Sequence, residues 1–177
     1  SEEIDYSYLE KVKKLEDIFK PIRISDHLCW TGIKNNNLHN LLPIPYTDEM
    51  LSQLSERVLK VQEFLNRPLM LENLSAYISF KENDYSEAQF LRELVKKTDC
   101  QILLDLNNVF VNSHNQKFDA RKFINEIPLD SVHEIHLAGF TDMGKYYFDT
   151  HSCPVWEPVW ELYRDYYKKY KNAITLI

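Results

Sequence analysis

Leu69-Met70-Leu71-Glu72-Asn73 is the stretch whose reading decides the fold. It is an apolar run that ends in a carboxylate and an amide, and Arg67-Pro68 separates it from a preceding stretch of helical periodicity. Side chains alternate along a strand, so Glu72 and Met70 point one way while Leu69 and Leu71 point the other. Four other segments deliver the same kinds of group: Ser25-Asp26-His27, Leu104-Asp105-Leu106-Asn107-Asn108, Glu134-Ile135-His136 and Asp149-Thr150-His151. One carboxylate after a strand is ordinarily a helix N-cap, and one histidine in an apolar run is ordinarily a core residue. Five such segments in series place metal-type ligands at strand carboxyl ends, which converge in a parallel barrel.

Working outward, the apolar spacing of Tyr8, Leu9, Val12, Leu15, Ile18 and Phe19 predicts a helix over 5–19, closed by Lys20-Pro21. Residues 22–25 read as a short strand. Residues 31–46, with Asn35-Asn36-Asn37 and two prolines, read as a long polar loop. Thr47 is an N-cap for a helix reaching Asn66, with Asp48 and Glu49 in its first turn. Strands over 69–73, 101–106, 132–138 and 173–177 then alternate with helices over 86–97, 119–127 and 154–170. This alternation is the signature of the α/β class with a parallel sheet.

Strand parity puts Asp105 on the same face as Leu103, and His136 on the same face as Glu134 and Ala138. An open doubly wound sheet satisfies the alternation too, but it gathers its functional residues at one switch point. Candidates on successive strands favour a TIM-type (β/α)8 barrel. Such a barrel takes about 250 residues, and about five of its eight strands are read here. Residues 1–177 are therefore expected to be a single, incomplete barrel domain, with the look of a fragment.

The composition, 44% hydrophobic and 27% charged, is that of a globular domain able to bury a core. A formal charge of -6 counts against a nucleic-acid backbone as the main partner. No apolar stretch has the length of a membrane span, and the N-terminus, beginning Ser1-Glu2-Glu3, is acidic where a signal peptide is basic; a cytoplasmic location is expected. Cys29, Cys100 and Cys153 are odd in number and lack Cys-x-x-Cys spacing, so neither a disulfide framework nor a zinc knuckle is indicated. Three glycines leave no room for a phosphate-cradling loop.

Six blocks resemble the multinuclear non-haem iron-dependent oxidase family of bacterial proteins. They are Ser25-Asp26-His27-Leu28-Cys29-Trp30, Leu41 to Thr47, Leu71-Glu72-Asn73, Leu103 to Asn108, Glu134 to Gly139 and Asp149-Thr150-His151, in the family's order. The resemblance implies a xylose-isomerase-like barrel holding two or three irons, with zinc or manganese as substitutes, and acting with oxygen on a peptide, often at a cysteine. A partner protein that delivers the peptide's leader is also implied. Carried over by motif, His27 and Glu72 match a first iron site, and Glu72 bridges to a second with Asp105 and His136. Asn108, Asp149 and His151 match a third. Glu72, Asp105 and His136 are the catalytic candidates. A family histidine on an earlier strand and a glutamate after Ile177 have no counterpart, which predicts weak or no iron binding and no turnover if these residues are the whole molecule. Phe140 stands where the family more often has histidine.

The chemistry of the residues agrees with that set: mixed imidazole and carboxylate ligands suit iron, manganese or zinc, and a carboxylate bridges two cations. For Glu72 and Asp105 the competing role is that of N-cap, weakened by the further residues expected before each following helix. An unpaired His136 in its apolar run would pay desolvation. Asn73, Asn107 and His114 are substrate-side candidates, with Asn107 equally placed to brace its loop. His39, in the polar loop, and His133, on the helix-facing parity, read as structural or solvated. The aromatic content of 13%, including Tyr85, Tyr146, Tyr147, Trp156 and Trp160, fits either a peptide-binding rim or core packing. Two alternatives stand beside the oxidase. One is a divalent-metal isomerase or phosphodiesterase of the wider barrel group; the other is an inactive barrel kept as a binding module.

Overall fold

The computed structural model describes residues 3–33 and 36–177, leaving Ser1, Glu2, Lys34 and Asn35 outside the described residues. Helix α1 (Tyr6–Phe19) precedes strand β1 (Ser25–His27) and a hairpin of β2 (Trp30–Ile33) and β3 (Asn36–Leu42). Helix α2 (Asp48–Leu65) leads to β4 (Met70–Glu72), α3 (Glu87–Thr98) and β5 (Gln101–Asp105). Helices α4 (Leu106–Gln116) and α5 (Ala120–Glu126) follow, then a 3-10 turn over Leu129–Ser131 and β6 (Val132–His136). A second hairpin, β7 (Phe140–Asp142) and β8 (Tyr147–Asp149), precedes α6 (Glu157–Lys169) and β9 (Ile174–Leu176).

The main sheet is parallel throughout, with spatial order β1-β4-β5-β6-β9. That order never reverses. A doubly wound sheet would show a switch point, so the sheet is singly wound, as in a barrel, and the fold is that of a partial TIM-type α/β barrel. Leu71, Ile102, Leu104 and Ile135 pack with Leu51 and Val58 of α2, Leu91 and Leu94 of α3, Phe123 of α5, and Val159 and Leu162 of α6 in one apolar cluster. Met70 and Leu103 are just as buried but lie outside that cluster. The strand parity read from sequence is thus realised: one face meets the helices, and the other carries Glu72 and Asp105. Each fully buried leucine or isoleucine contributes roughly 1.5–3 kcal/mol.

Local signals set the helices that space these strands. The Thr47 hydroxyl accepts the Met50 N–H and Asn66 closes α2 in the left-handed region. Ser86 and Gln89 form a reciprocal capping box at the start of α3. In β6 the register with β5 skips from Val132 to Glu134, making His133 the extra residue of a bulge. The bulge lets Val132, Ile135 and Leu137 all join the helix-side cluster while Glu134 and His136 turn to the other face.

Five features differ from expectation. Residues 31–46 are not one loop: the β2–β3 hairpin occupies most of them, and its β3 side chains are nearly all exposed, so no apolar alternation announces it. Helix α4, unexpected from sequence, starts directly after Asp105, whose side chain is its N-cap. The β7–β8 hairpin was likewise unexpected, and α6 begins at Glu157 rather than at Pro154. The first strand of the sheet is Ser25–His27, shifted past Ile22-Arg23-Ile24.

Candidate metal centre

Three strands deliver the heart of the site from their carboxyl ends. Glu72 closes β4, Asp105 closes β5 and His136 closes β6, and one ligand atom from each lies within 4.8 Å of the others. The two oxygens of Glu72 face different imidazoles: Oε1 is 3.3 Å from His136 Nδ1 and Oε2 is 3.4 Å from His27 Nε2. Asp105 Oδ2 stands 4.0 Å from His136 Nδ1 and 3.8 Å from His151 Nε2. His151 Nε2 in turn lies 2.9 Å from Asp149 Oδ1. The result is a chain of alternating groups, His27, Glu72, His136, Asp105, His151 and Asp149.

These spacings bear on what the centre holds. A charge-assisted hydrogen bond draws nitrogen and oxygen to about 2.7–2.9 Å, whereas two ligands bonded at about 2.1 Å to one cation stand roughly 3.0–3.4 Å apart. Both Glu72–imidazole gaps fall in the second range. Asp105 is fully buried, and its Oδ2 has no hydrogen-bond donor; Asn108 Oδ1 and Asn107 Oδ1 are also buried without one. Among the described residues, the ion pairs of Glu72, Asp105, Glu134 and Asp149 are all with histidines. Four carboxylates with no lysine or arginine partner among the described residues suit a divalent cation, and Glu72, Asp105 and His136 are placed where they could hold one.

The proton equilibria follow from this arrangement. Burial drives the Asp105 carboxyl well above its ordinary 3.8, opposed by the Asn108 N–H and reinforced by the Glu72 charge. The His136 imidazole is raised chiefly by its contact with Glu72, and His151 chiefly by its contact with Asp149. His136 Nε2 also faces Glu134 Oε1 at 3.3 Å. Imidazole ligands commonly lean on such an outer carboxylate.

Asparagines hold the ligand-bearing segments. Asn73 is fully buried; its Oδ1 accepts the Asp105 N–H at 2.9 Å and its Nδ2 donates to the Asp105 carbonyl at 3.0 Å, so it fixes Asp105 rather than facing a substrate. On α4, Asn108, Asn112 and Asn115 follow at i, i+4 and i+7 and so line one helix face. Asn108 Nδ2 donates to the Asn73 carbonyl, Asn112 pairs with the Leu74 carbonyl and Ala76 N–H, and Asn115 pairs with both backbone groups of Tyr147. Asn107 Nδ2 donates to Asp149 Oδ1 at 2.7 Å. Asn112 and Asn115 went unremarked in the sequence, although their spacing with Asn108 is the visible trace of this face.

The remaining candidates lie apart. His114 stacks on Tyr147 at 3.6 Å between ring centroids, His39 is exposed at a positive φ, and Phe140 is buried between Tyr147 and Trp156. Gly139 is needed where it stands: a Cβ there would run into the Cys153 and Pro154 carbonyl oxygens.

Comparison with known proteins places this chain. It is 40% identical over 174 residues to a UPF0276 protein of Acaryochloris marina, covering 98% of this chain and 63% of the relative. It is 42% identical over 180 residues to a UPF0276 protein of Vibrio parahaemolyticus, covering 99% and 62%. The chain thus spans less than two thirds of either relative's length. Among solved structures, the apo crystal structure of 3-keto-D-glucoside 4-epimerase YcjR from E. coli is similar with a TM-score of 0.53 and 14% identity, over 96% of this chain and 61% of that one. That likeness concerns the fold. The family described as "RiPP precursor modification enzyme MbnB/TglH/ChrH" matches across residues 1–177, and the chain belongs to this family.

Proposed function

We propose that this chain carries the metal centre of an iron-dependent oxidase that modifies a ribosomally made peptide, with a cysteine as the reacting residue and oxygen as the oxidant. The observation that carries the reading is the Glu72 carboxylate set between two imidazoles, beside the donorless Oδ2 of buried Asp105. His27, Glu72, Asp105, His136, Asp149 and His151, with Asn108, are the residues that would hold two or three irons. Iron held there would supply redox-active, Lewis-acidic chemistry.

The chain's own groups have definite tasks in this reading. Glu72 and Asp105 supply negative charge at the strand ends, Glu134 orients His136, and Asn73 and Asn107 hold Asp105 and Asp149 in place. In this reading the carbon beside the cysteine sulfur would give up hydrogen as protons and electrons, and oxygen would accept both as it is reduced. The family's description as RiPP precursor modification enzymes supports a peptide substrate, and a partner protein that delivers the leader is part of the proposal. Three free cysteines fit a reducing compartment such as the cytoplasm, and no helix among the described residues is long and apolar enough to cross a membrane.

The test is to load the protein with iron under nitrogen, add cysteine-containing peptides, and admit oxygen. A peptide mass loss or gain at cysteine, coupled to oxygen uptake, is expected. Zinc-dependent phosphodiester hydrolysis without oxygen uptake would overturn the proposal.

A further inference from the structure

We propose that Tyr77, Tyr146 and Phe148 form a shelf that seats an aromatic or branched aliphatic side chain next to the reacting residue of the peptide, and so selects the substrate. The proposal rests on the peptide-oxidase reading above and specifies how that site chooses its peptide.

Tyr77 comes from the segment after β4, Tyr146 and Phe148 from the β7–β8 hairpin, and the three rings meet at the surface. Ring centroids are 5.3 Å apart for Tyr77 and Phe148, 6.2 Å for Tyr77 and Tyr146, and 6.4 Å for Tyr146 and Phe148. They nevertheless remain 46%, 42% and 42% exposed, and none joins the core cluster. Their neighbours Ile78 and Met143 are exposed as well. Single exposed aromatics are ordinary, but a contiguous patch of this kind marks a surface that meets something apolar.

The shelf is tied to the metal centre through hydrogen bonds. The Tyr77 hydroxyl accepts the Asp149 N–H at 2.9 Å, and the Ser75 hydroxyl donates to Asp149 Oδ2 at 3.1 Å. Phe148 immediately precedes Asp149. By strand alternation Phe148 turns outward while Tyr147 and Asp149 turn inward, Tyr147 onto Phe140 and His114. An occupant of the shelf therefore lies beside the ligands and not on them, which is where a residue flanking the reacting cysteine would sit. The hairpin turn offers one acid, Asp142, and one base, Lys145, both exposed, so charge favours neither sign. With the Tyr77 hydroxyl already engaged by Asp149, the ring faces are what the shelf presents.

The test uses cobalt(II) in place of iron and two probe peptides, N-acetyl-Gly-Phe-Cys-Gly amide and its alanine counterpart, titrated under nitrogen. Cobalt–thiolate absorbance reports binding without turnover. The phenylalanine peptide is expected to bind about tenfold more tightly, and the double variant Tyr146→Ser/Phe148→Ser to erase that difference with cobalt stoichiometry and unfolding midpoint unchanged. Tyr77 is kept because its hydroxyl holds Asp149. Equal binding of the two peptides, or a preference that survives in the variant, would overturn the shelf alone. Cobalt bound with no thiolate band from either peptide would overturn the oxidase reading and the shelf with it. A dimer that the double variant dissociates would assign the surface to a second copy and also overturn the proposal.

Discussion

The side-chain amide of Asn73 pairs with the backbone of Asp105 in both directions, its Oδ1 accepting the N–H at 2.9 Å and its Nδ2 donating to the carbonyl at 3.0 Å. This pairing extends the β4–β5 ladder past its last strand residue and locks the aspartate that ends β5. Asn73→Ala removes two buried hydrogen bonds and leaves their partners unsatisfied. Urea unfolding should show a loss of about 2–4 kcal/mol, and cobalt(II) affinity should fall roughly 10–100-fold. Unchanged affinity would show that Asp105 holds its position without Asn73.

Asp105 serves two roles with its two oxygens. Oδ1 accepts the Asn108 N–H at 2.8 Å as the N-cap of α4, and Oδ2 is buried with no donor. Asparagine keeps the cap and removes the buried charge. Asp105→Asn should therefore stabilise the metal-free protein, by on the order of 1–2 kcal/mol or roughly 3–6 °C in Tm, while abolishing cation binding. Calorimetry with and without cobalt(II) checks both halves, and a lowered Tm in the metal-free variant would contradict the account.

Glu87 is a partly buried acid away from the metal ligands, on the wall of a cavity of about 420 Å³ between the 76–86 segment and α5. Burial pushes its carboxyl from 4.5 to about 7, only partly offset by hydrogen bonds from Tyr46 and Asn112. The folded chain thus holds this proton more tightly than the unfolded one. Its contribution to stability is fully present below pH 4.5 and is lost as pH rises to about 7. Glu87→Gln should flatten that part of the stability profile and leave the variant more stable than wild type at pH 8, as read by urea midpoints across the range. A parallel decline in both proteins would assign it to other groups.

Gly139 lies where the segment following His151 crosses β6's exit, and a Cβ there meets backbone carbonyls that have no side-chain freedom to yield. Gly139→Ala should cost about 1–3 kcal/mol and displace the loop that carries His151. Thermal unfolding gives the first quantity, and the His151 ring resonances in NMR give the second. A variant with wild-type Tm and unshifted His151 signals would show that the loop accommodates the methyl group.

The parts of this fold that were legible in the sequence were those whose apolar period is served by the core. Strands β4, β5 and β6 read correctly because Leu71, Leu104 and Ile135 repeat one position inward from Glu72, Asp105 and His136. Helix α2 read to within a residue of its ends because Thr47 and Asn66 cap it. Helix α4 was hidden because four of its residues are asparagines, poor helix formers on their own, and it is held by their bonds to the 73–76 segment and Tyr147. The two hairpins were hidden for a different reason: their strands are short, and β3 is exposed on nearly every residue. Setting cap against ligand at Asp105 posed a false choice, since one carboxylate has an oxygen for each.

Anomalous diffraction from crystals grown with iron(II) under nitrogen tests the central claim most directly. The account predicts iron peaks on both sides of the Glu72 carboxylate, one shared with His27 and one with His136 and Asp105, and their loss in Glu72→Gln. Crystals with no iron at these residues, or with iron bound elsewhere and unaffected by Glu72→Gln, would contradict it.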